Sequence, residues 1–192
     1  SNEVVVYMSD PEIITAQSIF SDDVDSSYSI IPVGKANRLI NTEIVRNGAA
    51  SCNIVFEPRD FDEQRIDFSR KTGTMNLAAQ RVAGGALAFS VYASSGNDIQ
   101  NVNVGFAYEI TFSSKPYMLK SKVCLSDYVT EFGKWQYVVI PLSDFPDIGE
   151  FRYLNQYISA NFDFSKVQRI TFYVDNNTDI LTPQNIYIDD FA

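Results

Sequence analysis

At 192 residues, with 45% hydrophobic and 20% charged side chains, the chain is long enough to bury one sizeable core and reads as a single globular domain over 1–192. A net charge of −9 argues against nucleic acid and anionic membrane surfaces as partners, since both need clustered Lys and Arg. Histidine is absent, which removes Ser-His and Cys-His nucleophiles and His-ligated zinc, and no apolar run approaches the ~20 residues of a membrane span.

The chain opens Ser1-Asn2-Glu3 without an initiator Met, which reads as a processed or trimmed chain in which a missing signal peptide says nothing about secretion. Val4–Tyr7 reads as a first strand, and Asp10–Ile19 as a turn or two of helix. The strands that follow are Ser51–Phe56, Gly85–Ala93, Val102–Phe112, Tyr117–Leu125, Trp135–Leu142, Val167–Asp175 and Asn185–Phe191. Their aromatic and β-branched content favours pleated structure. Turn-forming clusters at Ser94–Asp98, Phe132–Lys134 and Asn176-Asn177 separate them, and Leu154–Ser159 reads as a further helical turn. Many short strands with such punctuation predict an all-β sandwich or barrel. Cys52 and Cys124 lie far apart without metal-site spacing, and both a disulfide and two buried thiols fit them.

Period-two reading assigns faces. Leu87, Phe89 and Val91 share one face against Ser90 and Tyr92. Val138, Ile140 and Leu142 oppose Trp135, Tyr137 and Val139. Ile170, Phe172 and Val174 oppose Arg169, Thr171, Tyr173 and Asp175. Val104, Phe106 and Tyr108 oppose Asn103, Gly105, Ala107 and Glu109, and Leu119 and Val123 oppose Lys120 and Lys122. Each strand has one apolar face for a core, and the other faces mix tyrosine with charge.

Three blocks occur in order: Gly133-Lys134-Trp135-Gln136-Tyr137-Val138-Val139-Ile140-Pro141-Leu142-Ser143-Asp144-Phe145, then Phe162-Asp163-Phe164-Ser165-Lys166-Val167-Gln168-Arg169-Ile170-Thr171-Phe172-Tyr173-Val174, then Ile186-Tyr187-Ile188-Asp189-Asp190-Phe191. This succession resembles the galactose-binding-like β-jelly rolls of carbohydrate-binding modules in polysaccharide-degrading enzymes. The resemblance covers 134–192 well and the first 80 residues only loosely. It implies an all-β jelly-roll sandwich that is secreted or at the cell surface. It also implies a non-catalytic role beside a catalytic domain, and a ligand groove on the concave sheet.

A sugar offers hydroxyls and apolar C–H faces, so a site needs aromatic platforms and a few orienting polar groups. If the aliphatic faces fill the core, the set left for an oligosaccharide or polysaccharide is Tyr92, Tyr137, Tyr173, Arg169, Asn103, Glu109, Lys120 and Lys122. Convergence of Lys120, Lys122 and Arg169 points to an anionic glycan. Trp135 reads as a packing residue. The resemblance further implies a structural Ca²⁺ where first and last strands meet, with Asp189 as a ligand and Asp10 or one of Asp22, Asp23 and Asp25 completing it. A loop set of Asp175, Asn177 and Asp179 is the other option. A structural or protein-docking jelly roll is the competing role. A lyase or hydrolase is the third, although Glu109 is the only acid centred in a strand and glycoside cleavage needs two facing carboxylates.

Overall fold

The computed structural model describes residues 18–192, so the Val4–Tyr7 strand and Asp10 lie outside the described residues. Two short strands, β1 (Phe20–Ser21) and β2 (Asp23–Val24), pair with each other. The remaining strands are β3 (Tyr28–Val33), β4 (Asn37–Asn41), β5 (Ser51–Phe56), β6 (Gln64–Arg70), β7 (Ala86–Tyr92), β8 (Asn103–Phe112), β9 (Lys115–Cys124), β10 (Trp135–Pro141), β11 (Ile148–Tyr153), β12 (Gln156–Asn161), β13 (Arg169–Val174) and β14 (Gln184–Asp189). They form a five-stranded sheet in the order β10-β7-β14-β5-β4 and a seven-stranded sheet in the order β12-β11-β9-β8-β13-β6-β3, every pair antiparallel. Two helices of a single turn or so, α1 (Ala78–Val82) and α2 (Gly96–Ile99), sit in connections. The expected strands from Ser51 onward are all present, within three residues at either end.

The expected alternation is what fills the core. Leu87, Phe89, Val91, Val138, Ile140, Ile186 and Ile188 of the smaller sheet face Val104, Phe106, Leu119, Ile170 and Phe172 of the larger. Phe89, Phe172, Phe68 and Phe191 meet edge to face across the interior, with ring centroids 5.0–6.1 Å apart. Burying each such ring contributes roughly 1.5–3 kcal/mol, and edge-on contact adds about 0.5–1.5 kcal/mol per pair.

Sequence reading missed β3, β4, β6, β11 and β12. In β6 only Ile66 and Phe68 are apolar, alternating with Arg65, Asp67 and Ser69, so a strand buried on one side carries a charged opposite side. In β3, Pro32 is tolerated because the strand lies at the sheet edge. The expected helical turn at Leu154–Ser159 is instead the two-residue turn of the β11–β12 hairpin. Leu154 and Asn155 take φ of +47° and +62° there, and Tyr153 pairs with Gln156. Cys52 is buried in the core of the five-stranded sheet and Cys124 is exposed on the other, so both thiols are free. Burial pushes the Cys52 thiol up to about 12.

Candidate functional site

The two sheets present very different outer faces, and the expected ligand residues divide between them. Tyr173, Arg169, Asn103, Glu109, Lys120 and Lys122 belong to β13, β8 and β9 of the seven-stranded sheet. Tyr92 and Tyr137 belong to β7 and β10 of the five-stranded sheet. The expected groove lined by all three tyrosines is therefore not built. Period-two alternation correctly sets each tyrosine outward, but it is blind to which sheet a strand joins.

On the seven-stranded sheet, registered pairs place Arg65, Tyr173, Asn103 and Cys124 on one rung. Asp67, Thr171, Gly105 and Lys122 form the next, then Ser69, Arg169, Ala107 and Lys120, with Glu150 opposite Lys120 on β11. Glu63, at the entry to β6, holds the Lys120 ammonium at 2.8 Å although β6 and β9 are three places apart in the sheet. Three strand spacings are roughly 14 Å on a flat sheet, which these side chains span only at full extension, and with the depressions that open on it this face is the sheet's hollow side. Lys120 is 2% exposed as a result. At Gly105 an added Cβ would lie 2.9 Å from the Ser121 carbonyl oxygen and 3.5 Å from Lys122 Cβ, so the bare backbone leaves Lys122 room on the floor.

The charges arrive matched. Arg65 pairs with Glu63 and with Asp67 Oδ1 (3.3 Å), and Arg169 with Asp67 Oδ2 (2.9 Å). Lys122 pairs with Glu150 (2.8 Å) and approaches Asp175 (3.8 Å). Arg152 differs: its guanidinium donates to the carbonyls of Phe61 (2.8 Å) and Asp175 (3.2 Å) and to Asn155 (3.3 Å), and it lies 4.7 Å over the Phe61 ring. The lysines and Arg169 do converge as expected, but each brings a carboxylate, so the face carries no surplus positive charge for an anionic glycan.

Tyr173 forms the floor rather than an open platform. It is fully buried beneath the ammonium groups of Lys120 (5.1 Å from the ring) and Lys122 (5.9 Å). Burial, then Asp175, pushes its phenol well up. Its hydroxyl and Thr171 Oγ1 have no hydrogen-bond partner among the described residues. Burial also raises Asp175 to about 6, helped by Glu63 and opposed by the lysines. Burial works to raise Glu63 too, but Lys120 and Arg65 outweigh it and hold Glu63 low.

Two depressions open on this face. One, of about 360 Å³, is lined by Glu63, Arg65, Glu109, Lys120, Arg152 and Arg169 with Tyr117 and Met118 at its end. The other, of about 550 Å³, is lined by Asn103, Tyr157, Asp175 and Asp179 among others. Sequence reading missed Glu63, Arg65, Asp67, Arg152, Tyr157 and Phe61. The alternation Arg65-Ile66-Asp67-Phe68 was the available signal for two of them.

The wall that carries Phe61 and Glu63 is anchored by amides. Gln64 accepts from the Glu57 N–H (2.8 Å) and donates to the Glu57 carbonyl (2.9 Å). Asn177 donates to that carbonyl (3.2 Å) and to Gln184 (2.7 Å), and Gln184 donates to the carbonyls of Asn97 and Gln100. Arg59 and Asn177 are further joined through backbone bonds.

The carboxylates expected to hold calcium face hydrogen-bond donors. Asp189 Oδ2 accepts from the N–H groups of Arg46 and Asn47 (both 3.2 Å), and its Oδ1 from that of Asp190. Asp22 Oδ1 accepts from those of Ala49 and Ala50, and Asp25 Oδ1 from that of Ser27. Among the described residues no three His, Cys, Asp or Glu side chains converge, and Asp10, the other ligand expected for calcium, lies outside the described residues. Asp22 and Asp189 instead tie the 44–50 loop to the meeting of first and last strands, where Phe20 bridges Phe191.

The family model "Carbohydrate binding domain 30" matches residues 19–192. A crystal structure of a family 30 carbohydrate-binding module superposes at a TM-score of 0.63 and 21% identity, over 91% of this chain and 84% of that one. The family 30 module of a cellulosomal cellulase of Clostridium thermocellum gives 0.65 and 20%, over 91% and 94%. A family 11 module from Clostridium thermocellum, in complex with a β-1,3-1,4-mixed-linked tetrasaccharide, gives 0.54 and 9%, over 91% and 92%. No curated protein sequence matches. The fold is thus the carbohydrate-binding β-sandwich jelly roll that the resemblance implied, and the chain belongs to the family 30 carbohydrate-binding domains, which are non-catalytic.

Proposed function

We propose that this module binds a polysaccharide chain along the hollow outer face of the seven-stranded sheet. The observation that carries the reading is the lattice of matched charges on that face. Glu63, Arg65, Asp67, Arg169, Lys120 and Lys122 are already desolvated and oriented by one another. Such fixed carboxylates and guanidinium groups accept from and donate to vicinal hydroxyls at little ordering cost. The two depressions give the chain a track, and Phe61 and Tyr157 at the rims offer rings for stacking.

Because the charges cancel locally, the ligand is an uncharged or weakly charged glycan. The mixed-linked tetrasaccharide held by the family 11 module makes a β-linked glucan the first ligand to try. The binding step raises the local concentration of an attached catalytic domain on its polymer. The expected setting is a longer secreted or cell-surface protein, a reading supported by the cellulase origin of a structural neighbour. Among the described residues no helix is long and apolar enough to cross a membrane.

Electrophoresis through gels containing barley β-glucan or polygalacturonate tests this. Retardation by the neutral glucan is expected, and Arg152→Ala combined with Phe61→Ala weakens it. Unchanged retardation in that double variant, or retardation by polygalacturonate alone, overturns the assignment.

A further inference from the structure

The outer face of the five-stranded sheet is built to a different plan. Side-chain register runs unbroken across all five strands: Trp135 opposes Tyr92, Tyr92 opposes Tyr187, Tyr187 opposes Asn53, and Asn53 opposes Leu39. Adjacent aromatic centroids on this rung are each 5.9 Å apart, the rings leaning at 59° and 79°. They brace one another's rotamers, so little side-chain freedom remains to be lost on binding. The next rung begins Tyr137, Ser90, Asp189, with Tyr137 46% exposed.

Ser90 adds an independent observation. It is fully buried, alternation with core residues Phe89 and Val91 turns it to this outer face, and its Oγ has no hydrogen-bond partner among the described residues. A buried hydroxyl without a partner costs stability, and here it lies beneath the aromatic patch. Charge is nearly absent from the face. The one ionisable carboxylate among its outward strand positions, Asp189, is 1% exposed and capped by backbone N–H groups, and other acids approach only at the rim, where Asp98 and Glu43 come near Tyr187.

We infer that this face is a second binding surface, for an uncharged polysaccharide chain that stacks its pyranose C–H faces on Trp135, Tyr92 and Tyr187. The chemistry selects that occupant. A row of leaning rings with almost no charge beside it suits a ligand that is itself alternately apolar and hydroxylated. A protein partner would call for contiguous aliphatic surface, and Leu39 at 51% exposure is the large aliphatic side chain this face offers openly. A linear rung across five strands suits a linear ligand. The surface is separate from the charged hollow, because the whole core lies between the two sheets.

Trp135 is the only tryptophan in the chain, so its fluorescence reports on this face alone. The probe is hydroxyethyl cellulose, with polygalacturonate as the charged control. Added hydroxyethyl cellulose is expected to shift Trp135 emission and shield it from acrylamide quenching, and the change persists in Arg152→Ala/Phe61→Ala. Tyr92→Ala/Tyr187→Ala weakens that binding roughly tenfold, and Tyr137→Ala, at a more exposed position, weakens it less while leaving the melting temperature unchanged. Retardation in gels without any Trp135 response overturns this inference and leaves the charged hollow standing. A Trp135 response with gel retardation indifferent to Arg152→Ala/Phe61→Ala does the reverse. Self-association through this face, with no response to the glucan, also overturns it, and no binding by either measure ends both.

Discussion

The two outer faces of this sandwich solve the exposure of a β-sheet in opposite ways. The seven-stranded face holds Arg, Lys, Asp and Glu in a hollow where most of the charges are paired with a neighbour. The five-stranded face holds Trp, Tyr, Asn and Ser with one buried carboxylate. The first depends on electrostatic matching and is sensitive to single deletions, because a lost partner strands a desolvated charge. The second depends on additive surface contact and loses strength gradually. One core serves both, since the inward halves of the same strands are almost uniformly aliphatic and aromatic.

The sharpest way to break the contrast is to unpair the hollow. Glu63→Ala leaves Lys120 buried beside Tyr173 without its carboxylate and is expected to cost about 3 kcal/mol in urea denaturation. A loss below about 1 kcal/mol would show that the hollow is solvated rather than matched. Next comes Asp175. Its folded pKa is raised to about 6, so its contribution to stability is fully present below its unfolded value of 3.8 and is lost as pH rises through about 6. Asp175→Asn is therefore expected to raise stability at pH 7 by about 1–2 kcal/mol, a gain that fades below pH 4. A pH-independent difference would point to lost hydrogen bonding instead.

Arg152→Ala alone is expected to weaken binding of barley β-glucan about tenfold, roughly 1.4 kcal/mol, and to change stability little, because its hydrogen-bond partners are two backbone carbonyls and the Asn155 amide oxygen, which water can serve. Calorimetry separates the two effects. The smallest expected response is to metal. With Asp22 and Asp189 facing backbone N–H groups, EDTA leaves the melting temperature in place. A drop on chelation, restored by Ca²⁺, would place a cation against a donor set larger than the described one.

Most of the sandwich could be read from the chain because β5, β7, β8, β9, β10, β13 and β14 alternate strongly and carry several apolar residues each. β6 escaped because its outward half is Arg65, Asp67 and Ser69, so polar outward residues diluted the hydrophobic signal. The β11–β12 hairpin escaped because Leu154-Asn155 takes up the left-handed turn without glycine. The outward faces were legible residue by residue: all eight residues expected to bind point outward. Their partition was not, because antiparallel order is fixed by contacts distant in sequence, such as β13 between β6 and β8. Trp135, expected to pack, lies half-buried against Tyr92 on the outer face.

The wall of the hollow that carries Phe61 and Glu63 is fastened through Gln64, Asn177 and Gln184. Carboxamides neither gain nor lose a proton in the range any polysaccharide-degrading habitat spans. Acidification therefore neutralises Asp175 within a frame that does not titrate with it, and a pH profile of glucan affinity reads the chemistry of the hollow directly, without a remodelling of its shape folded into the same curve.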